Sequence, residues 1–216
     1  MKNLILLITV FYLASSVESF AQQSDAKATG ILNTLSAKYK SYTSLRTVFS
    51  MKIENGEGKV TESQNGTLYV KSNKYKIELN NQDIICDNAT VWTFLKDANE
   101  VQINTYEPDD NAINPSQIFT IYEKNFLYAF IEEKTINAKV FQIIDLTPND
   151  KTKNYFKVRL TIDKNDKAIT SVKIFDKSGT KMTYEVQKFT PNFTLLDSFF
   201  SFDTKKYPGI EVVDLR

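Results

Sequence analysis

The chain has 216 residues, with 27 Lys and Arg against 26 Asp and Glu, no His and a single Cys. A formal charge of +1 argues against a nucleic-acid binder, because binding by counterion release needs a strong basic excess. Without His there is no His-ligated metal site and the commonest general acid–base is missing; one Cys makes neither an internal disulfide nor a CxxC motif.

The first element reads as an address. Lys2 precedes Leu4 to Leu13, a short apolar run, and Ser19-Phe20-Ala21 is a small-x-small cleavage site. The run has about ten residues, whereas a spanning helix needs ~20. Residues 1–21 are therefore expected to be a cleaved secretory signal peptide, and residues 22–216 one domain. No Cys stands at the cleavage point to receive a lipid. The expected product is soluble and exported, and its low Cys content fits a Gram-negative periplasm.

An amphipathic helix follows. Ala28, Ile31, Leu32, Leu35 and Tyr39 recur at helical spacing, with Ser24 or Asp25 as the cap. Most of the remainder alternates with period two. Strands are predicted at Thr47–Ile53, Gly66–Lys71, Lys74–Leu79, Asp83–Cys86, Val91–Leu95 and Glu100–Asn104. A second group covers Val140–Leu146, Tyr155–Asp163, Ile169–Asp176, Lys181–Lys188 and Phe199–Asp203. Turn residues separate them, as in Glu54-Asn55-Gly56-Glu57-Gly58 and Asp176-Lys177-Ser178-Gly179. Between the groups, Asn114-Pro115-Ser116 suits a capped helix start, and one or two short helices are expected over Gln117–Tyr122 and Phe126–Ile131. The pattern predicts a mainly β (α+β) fold of ten or eleven antiparallel strands in hairpin order. One curved sheet with helices in its concave face would give every dry face the same core.

The sequence holds no GxSxG, P-loop, HExxH, GxGxxG or EF-hand motif. Asp109-Asp110 reads as a solvated loop pair, since no other acidic residue clusters with it. Cys86 lies inside a predicted strand and has no His to activate it, so it reads as a packed thiol. Apolar side chains are plentiful, and a half-barrel under a cover can hold an apolar cavity. Composition does not choose between such a cavity and a solid core that serves an interaction surface.

Several runs in order resemble one family. These are Leu45-Arg46-Thr47-Val48-Phe49-Ser50, Gly66-Thr67-Leu68-Tyr69-Val70-Lys71, Asp87-Asn88-Ala89-Thr90-Val91-Trp92-Thr93-Phe94, "NPSQIF", "IIDLTP" and the closing "FSFDTKKYPGIEVVDLR". Together they resemble the LolA family of periplasmic outer-membrane lipoprotein carriers, over about residues 25 to 216. The resemblance implies an unclosed antiparallel β-barrel of about eleven strands, covered by the N-terminal helix and a central lid helix around a hydrophobic cavity. It implies a monomeric chaperone that takes acylated lipoproteins from an inner-membrane ABC-type release complex and carries them to the outer membrane, where the acceptor is left open. It implies no cofactor, no metal, no nucleic acid and no covalent chemistry. The alternative is a periplasmic lipid-binding or lipid-sensing protein of the same fold.

Alternation nominates the cavity wall. The sheet candidates are Phe49, Met51, Leu68, Val70, Tyr75, Ile77, Trp92, Phe94, Val101 and Ile103. The cover candidates are Leu32, Leu35, Ile118, Phe119, Phe126 and Phe130. Trp92 and Phe94 share a face and are the leading anchors. Many family members carry an Arg after the Val-Lys strand, held to lock the lid. Here Ser72 follows Lys71, with neither the charge nor the fork of donors, so that role passes to no residue. Lys71 and Lys74 are the nearest cations.

Overall fold

The structure, a computed structural model, describes residues 24–109, 113–123 and 125–216. The expected signal peptide lies outside the described residues. No helix among the described residues is long and apolar enough to cross a membrane.

Asp25 starts the one α-helix, α1 (Ala26–Lys40), by accepting from the Lys27 and Ala28 amides at 2.7 and 3.1 Å. Ser24 does not cap it; its hydroxyl accepts from the Tyr128 amide at 3.1 Å. The buried stripe Ala28, Leu32, Leu35 and Tyr39 fits the predicted spacing, and Lys38 and Lys40 sit in the last turn, where the helix dipole favours cations.

Twelve strands form one sheet. The first six are β1 (Leu45–Glu54), β2 (Val60–Lys71), β3 (Lys74–Leu79), β4 (Gln82–Cys86), β5 (Thr90–Leu95) and β6 (Glu100–Thr105). The others are β7 (Phe126–Ile136), β8 (Lys139–Pro148), β9 (Tyr155–Asp163), β10 (Ala168–Asp176), β11 (Lys181–Pro191) and β12 (Glu211–Asp214). Their order is β12-β6-β5-β4-β3-β2-β1-β11-β10-β9-β8-β7, and the two edges, β12 and β7, do not pair. Two antiparallel meanders thus join along β1 and β11. At that seam Val48 faces Lys188 but Phe49 faces Val186, so β11 carries one extra residue. Such a bulge bends the strand and sharpens its twist. The buried stripe of α1 belongs to one concave core cluster with Leu68, Val70, Cys86, Ile144, Leu146, Val158, Leu160 and Ile162.

Four expectations need correction. Phe126–Ile131 is not helical; it opens β7, in register with β8 from Phe126 opposite Pro148. Six apolar residues are too few to separate a helix from a strand by periodicity. Asn125, at φ 65°, turns the chain out of the preceding segment. The central cover is not a full helix but two 3-10 turns, Pro115–Gln117 and Ile121–Glu123; Asn114 does cap the first, accepting from the Ser116 amide at 2.9 Å. Phe199–Asp203 is not a strand, because Asp197–Phe200 forms a 3-10 turn that buries Phe200 completely. β12 was not expected, and it runs parallel to β6, with Val212 beside Val101. Four residues are too short to show alternation.

The convex face carries a second, smaller core. Ile85, Phe94, Val101 and Ile103 are buried, yet they stand apart from the concave cluster. The C-terminal segment covers them. Phe94 meets Phe202 and Tyr207 at ring-centre distances of 5.3 and 4.6 Å, and Lys71 Nζ donates to the Leu195 carbonyl and the Asp197 carboxylate at 2.9 and 2.8 Å.

Candidate functional site

The concave face is not filled throughout. Beside the bulged seam lies an apolar cavity of about 110 Å³. Its floor comes from both meanders: Thr47 and Phe49 of β1, Leu68 of β2, Val172 and Ile174 of β10, and Tyr184 and Val186 of β11. Its roof is the central cover, through Ile113, Pro115, Ile118 and Phe119. The space exists because of Gly66. That residue lies opposite Phe49, and a Cβ there would sit 2.7 Å from both Phe49 Cζ and Leu79 Cδ2. With no side chain at 66, the Phe49 ring lies over the neighbouring strand and leaves room beyond it.

The cover is held by buried side chains, Phe119 and Tyr122, and by polar ties. Phe119 wedges between Tyr39 and Phe189, with ring centres 5.2 and 5.3 Å away. At one end of the cover, Asn114 Nδ2 donates to the Tyr106 hydroxyl at 2.7 Å. At the other, Glu123 accepts from the Ser36 hydroxyl and pairs with Lys40 at 2.8 Å. The Tyr128 hydroxyl donates to the Tyr122 carbonyl. Two 3-10 turns make few internal bonds of their own, so these ties, the Phe119 wedge and the buried Tyr122 ring fix the roof.

The buried hydroxyls here are neutral. Burial pushes Tyr39 up to about 12, against the pull of the bond it accepts from the Ile169 amide. Burial likewise raises Tyr75 and Tyr122. The Cys86 thiol is fully buried and is also raised by burial, which disfavours the nucleophilic thiolate. No group of three or more His, Cys, Asp or Glu able to hold a metal ion exists among the described residues.

The nominated wall residues divide in four. Phe49, Leu68, Ile118 and Phe119 line the cavity. Leu32, Leu35, Val70, Tyr75 and Ile77 belong to the packed concave core around it, joined from β7 by Phe126 and Phe130. Met51 faces Tyr184 across the seam, outside that packed core. Trp92, Phe94, Val101 and Ile103 are on the other side of the sheet. Trp92 is opposite Ile103 and Ile85, and Phe94 opposite Val101, so all share the convex face under the C-terminal segment. Alternation identified a dry row correctly; it could not foresee that β5 also places an apolar residue, Val91, on the concave face. Lys71 and Lys74 both pair with Asp197, at 2.8 and 3.5 Å, and so clasp the convex segment.

Sequence reasoning missed Thr47, Ile113, Pro115, Val172, Ile174, Tyr184 and Val186. The signal for the strand residues was present as alternation within Ile169–Asp176 and Lys181–Lys188. What was missing was the pairing of β1 with β11, which brings the two meanders onto one wall.

Comparison with known proteins agrees with this architecture. A solved structure of an uncharacterized conserved protein from Thermus thermophilus superposes with a TM-score of 0.56 at 13% identity, over 87% of this chain and 99% of that one. The Mycobacterium tuberculosis lipoprotein LppX gives 0.48 at 12% identity, over 80% and 99%. A LolA superfamily protein from Nitrosomonas europaea gives 0.44 at 12%, over 82% and 98%. Curated protein sequences give no match. The sequence profile described as outer membrane lipoprotein carrier protein LolA matches residues 40–203. That span runs from the last turn of α1 through both meanders, the cover and most of the convex strap; the chain belongs to the LolA family.

Proposed function

We propose that the protein binds the acyl chains of lipoproteins in the concave cavity and carries them across the periplasm, from an inner-membrane ABC-type release complex to an outer-membrane acceptor. The observation that supports this most is the apolar cavity between two meanders, roofed by a segment without regular helix. A sixteen-carbon chain in water costs on the order of 10 kcal/mol at about 0.8 kcal/mol per CH₂, so transfer through water needs an apolar host. The host must also let go. A roof of short 3-10 turns, pinned by Phe119, Tyr122 and polar ties, can lift in pieces, whereas a continuous helix packed along its length would resist.

Volume sets the condition. A cavity of about 110 Å³ is smaller than the roughly 150 Å³ that accepts one benzene. An acyl chain is larger than this space, so in this reading the cover lifts to admit it. Phe119 leaves its place between Tyr39 and Phe189 in that step, and no covalent bond changes.

The test is release of a labelled lipoprotein from inner-membrane vesicles, with ATP and the release complex, into a soluble one-to-one complex. Ile118→Asp should abolish release while leaving the far-ultraviolet circular dichroism intact; Trp92→Ala, on the convex face, should retain it. Release that survives Ile118→Asp would refute the cavity reading. No release, with free lipid found bound to the protein, would instead support a general lipid carrier or sensor.

A further inference from the structure

The two halves of the convex face differ. Over the first meander the C-terminal strap covers the sheet, through Phe199 on Tyr69, Phe202 on Phe94 and the Lys71 and Lys74 clasp. Over β7 to β11 the outward row stays wet. Ile131, Ile136 and Phe156 are 45, 46 and 49% exposed, and Phe156 meets Phe175 at a ring-centre distance of 6.1 Å. An aromatic pair and two isoleucines thus stand open on this half.

The strand register assigns the charges. Phe49, Val172 and Tyr184 line the cavity, and Phe130, Ile144 and Val158 belong to the concave core, so the alternate residues of their strands point outward. On β1 and β11 these include Lys52, Lys181 and Lys188, with Glu54 and Glu185. On β9 and β10 they include Lys157, Arg159 and Lys173. On β7 and β8 they include Lys134, with Glu132 and Asp145. At the far end Lys139 and Asp163 pair with each other at 3.6 Å. Arg46, also outward on β1, lies instead against Tyr69 and Phe193. Leaving Arg46 aside, the row holds eight cations and five carboxylates, an excess of three positive charges, on a chain whose total is +1. Glu54 is taken by Lys173 at 2.7 Å, and Asp145 by Arg159 at 2.6 and 2.8 Å and by Lys157 at 3.5 Å. The Phe175 ring sits among the same cations, 4.2 Å from Lys157 Nζ and 5.9 Å from both Arg159 and Lys173. The turns at the rim carry both signs, as in Asp150-Lys151 and Asp176-Lys177.

We propose that this open half of the convex face docks on the surface of an anionic phospholipid bilayer. The proposal does not depend on what the cavity holds. Charge complementarity carries it: a negatively charged membrane attracts each nearby Lys or Arg, and the attraction fades within a Debye length. The cations run from β1 to β7 across six adjacent strands, a spread of about 24 Å at the usual strand spacing. A polypeptide partner would have to match that spread point for point, whereas lipid heads diffuse and meet it anywhere. Lys and Arg stems lie along apolar surface with their charged ends outward, and Phe156, Ile131 and Ile136 between them suit the boundary beneath the heads. The cover lies on the opposite face of the sheet, so docking leaves it free to move.

The experiment is flotation of the purified protein with vesicles, either of phosphatidylcholine alone or of phosphatidylcholine and phosphatidylglycerol in equal parts. The protein should float with the mixed vesicles only, and less as salt rises. Lys157→Gln/Lys181→Gln removes two outward cations while Arg159 and Lys173 keep Asp145 and Glu54 paired. Its affinity for the mixed vesicles should fall about tenfold, at an unchanged melting temperature. Lys205→Gln/Lys206→Gln makes the same change of net charge on the strap and should stay within about twofold of native. No binding to the mixed vesicles, or an equal loss in both double variants, would overturn the assignment. So would binding only to inner-membrane vesicles that protease treatment abolishes, which would point to an acidic protein partner instead. Each of these outcomes is separate from that of the lipoprotein-release test.

Discussion

Gly66 shows how much of the site rests on the absence of one atom. Its backbone is not in the left-handed region; the need is for space. A methyl there would press on Phe49 Cζ and Leu79 Cδ2 at 2.7 Å and on the Glu78 carbonyl at 3.0 Å. The carbonyl cannot yield, so the Phe49 ring would be driven off the strand and into the cavity. Gly66→Ala should cost about 1–3 kcal/mol, the usual range for overpacking. It should lower the urea midpoint without changing the slope, and apolar dye should bind more weakly. A variant of native stability and native dye binding would show that Phe49 has another place to go. The glycine was visible in the sequence only as part of a strand motif; its reason lies in the cross-strand partner.

At the level of elements, period two was the reliable signal and it read ten strands, because each presents a wet row and a dry row. It failed where one row carries no information. β7 begins with Phe126-Leu127-Tyr128-Ala129-Phe130-Ile131, apolar on both rows, and so resembled a buried helix. Trp92 and Phe94 failed differently: their row is dry, but a strap from the other end of the chain dries it. Which face holds the cavity is a property of the whole topology, and no local pattern encodes it. The cover was legible as a capped start at Asn114 and Pro115, but not as two 3-10 turns. Its ties make a prediction. Glu123→Ala removes the acceptor for Ser36 and the partner of Lys40, a loss of about 1 kcal/mol or slightly more. Amide hydrogen exchange at Thr120 and Glu123 or its replacement should then quicken about fivefold, while the β9 and β10 amides keep their protection. Unchanged exchange in the cover would mean that the buried Phe119 and Tyr122 side chains hold it without this tie.

The molecule as a whole is a sheet between two cores. The concave one borders the cavity and the convex one is closed by Phe200, Phe202 and Tyr207 under the Lys71 and Lys74 clasp. Neither Phe94 nor Phe200 belongs to the cluster that borders the cavity. Phe200 is fully buried in the convex core, and Phe200→Ala should cost about 3–5 kcal/mol. Below its lowered melting temperature the variant should still bind apolar dye with native affinity. Weakened dye binding in the folded variant would show that the two cores are coupled through the sheet.

The convex strap also sets an order of events. Lys71 and Leu195, 124 residues apart in the chain, are joined across it, and β12 reaches back to β6 from the last few residues. Contacts of such long range form late, because loop closure must come before they stabilise anything. As the chain emerges from its N-terminal end, β4, β5 and β6 can form hairpins early, yet one of their apolar faces stays wet until the final segment arrives. The seam between β1 and β11 waits just as long. The half-formed molecule is therefore a sheet with an uncovered apolar face, the kind of species that aggregates or calls on a chaperone. The apolar convex rows of β4, β5 and β6 are thus exposed during folding until the strap packs over them.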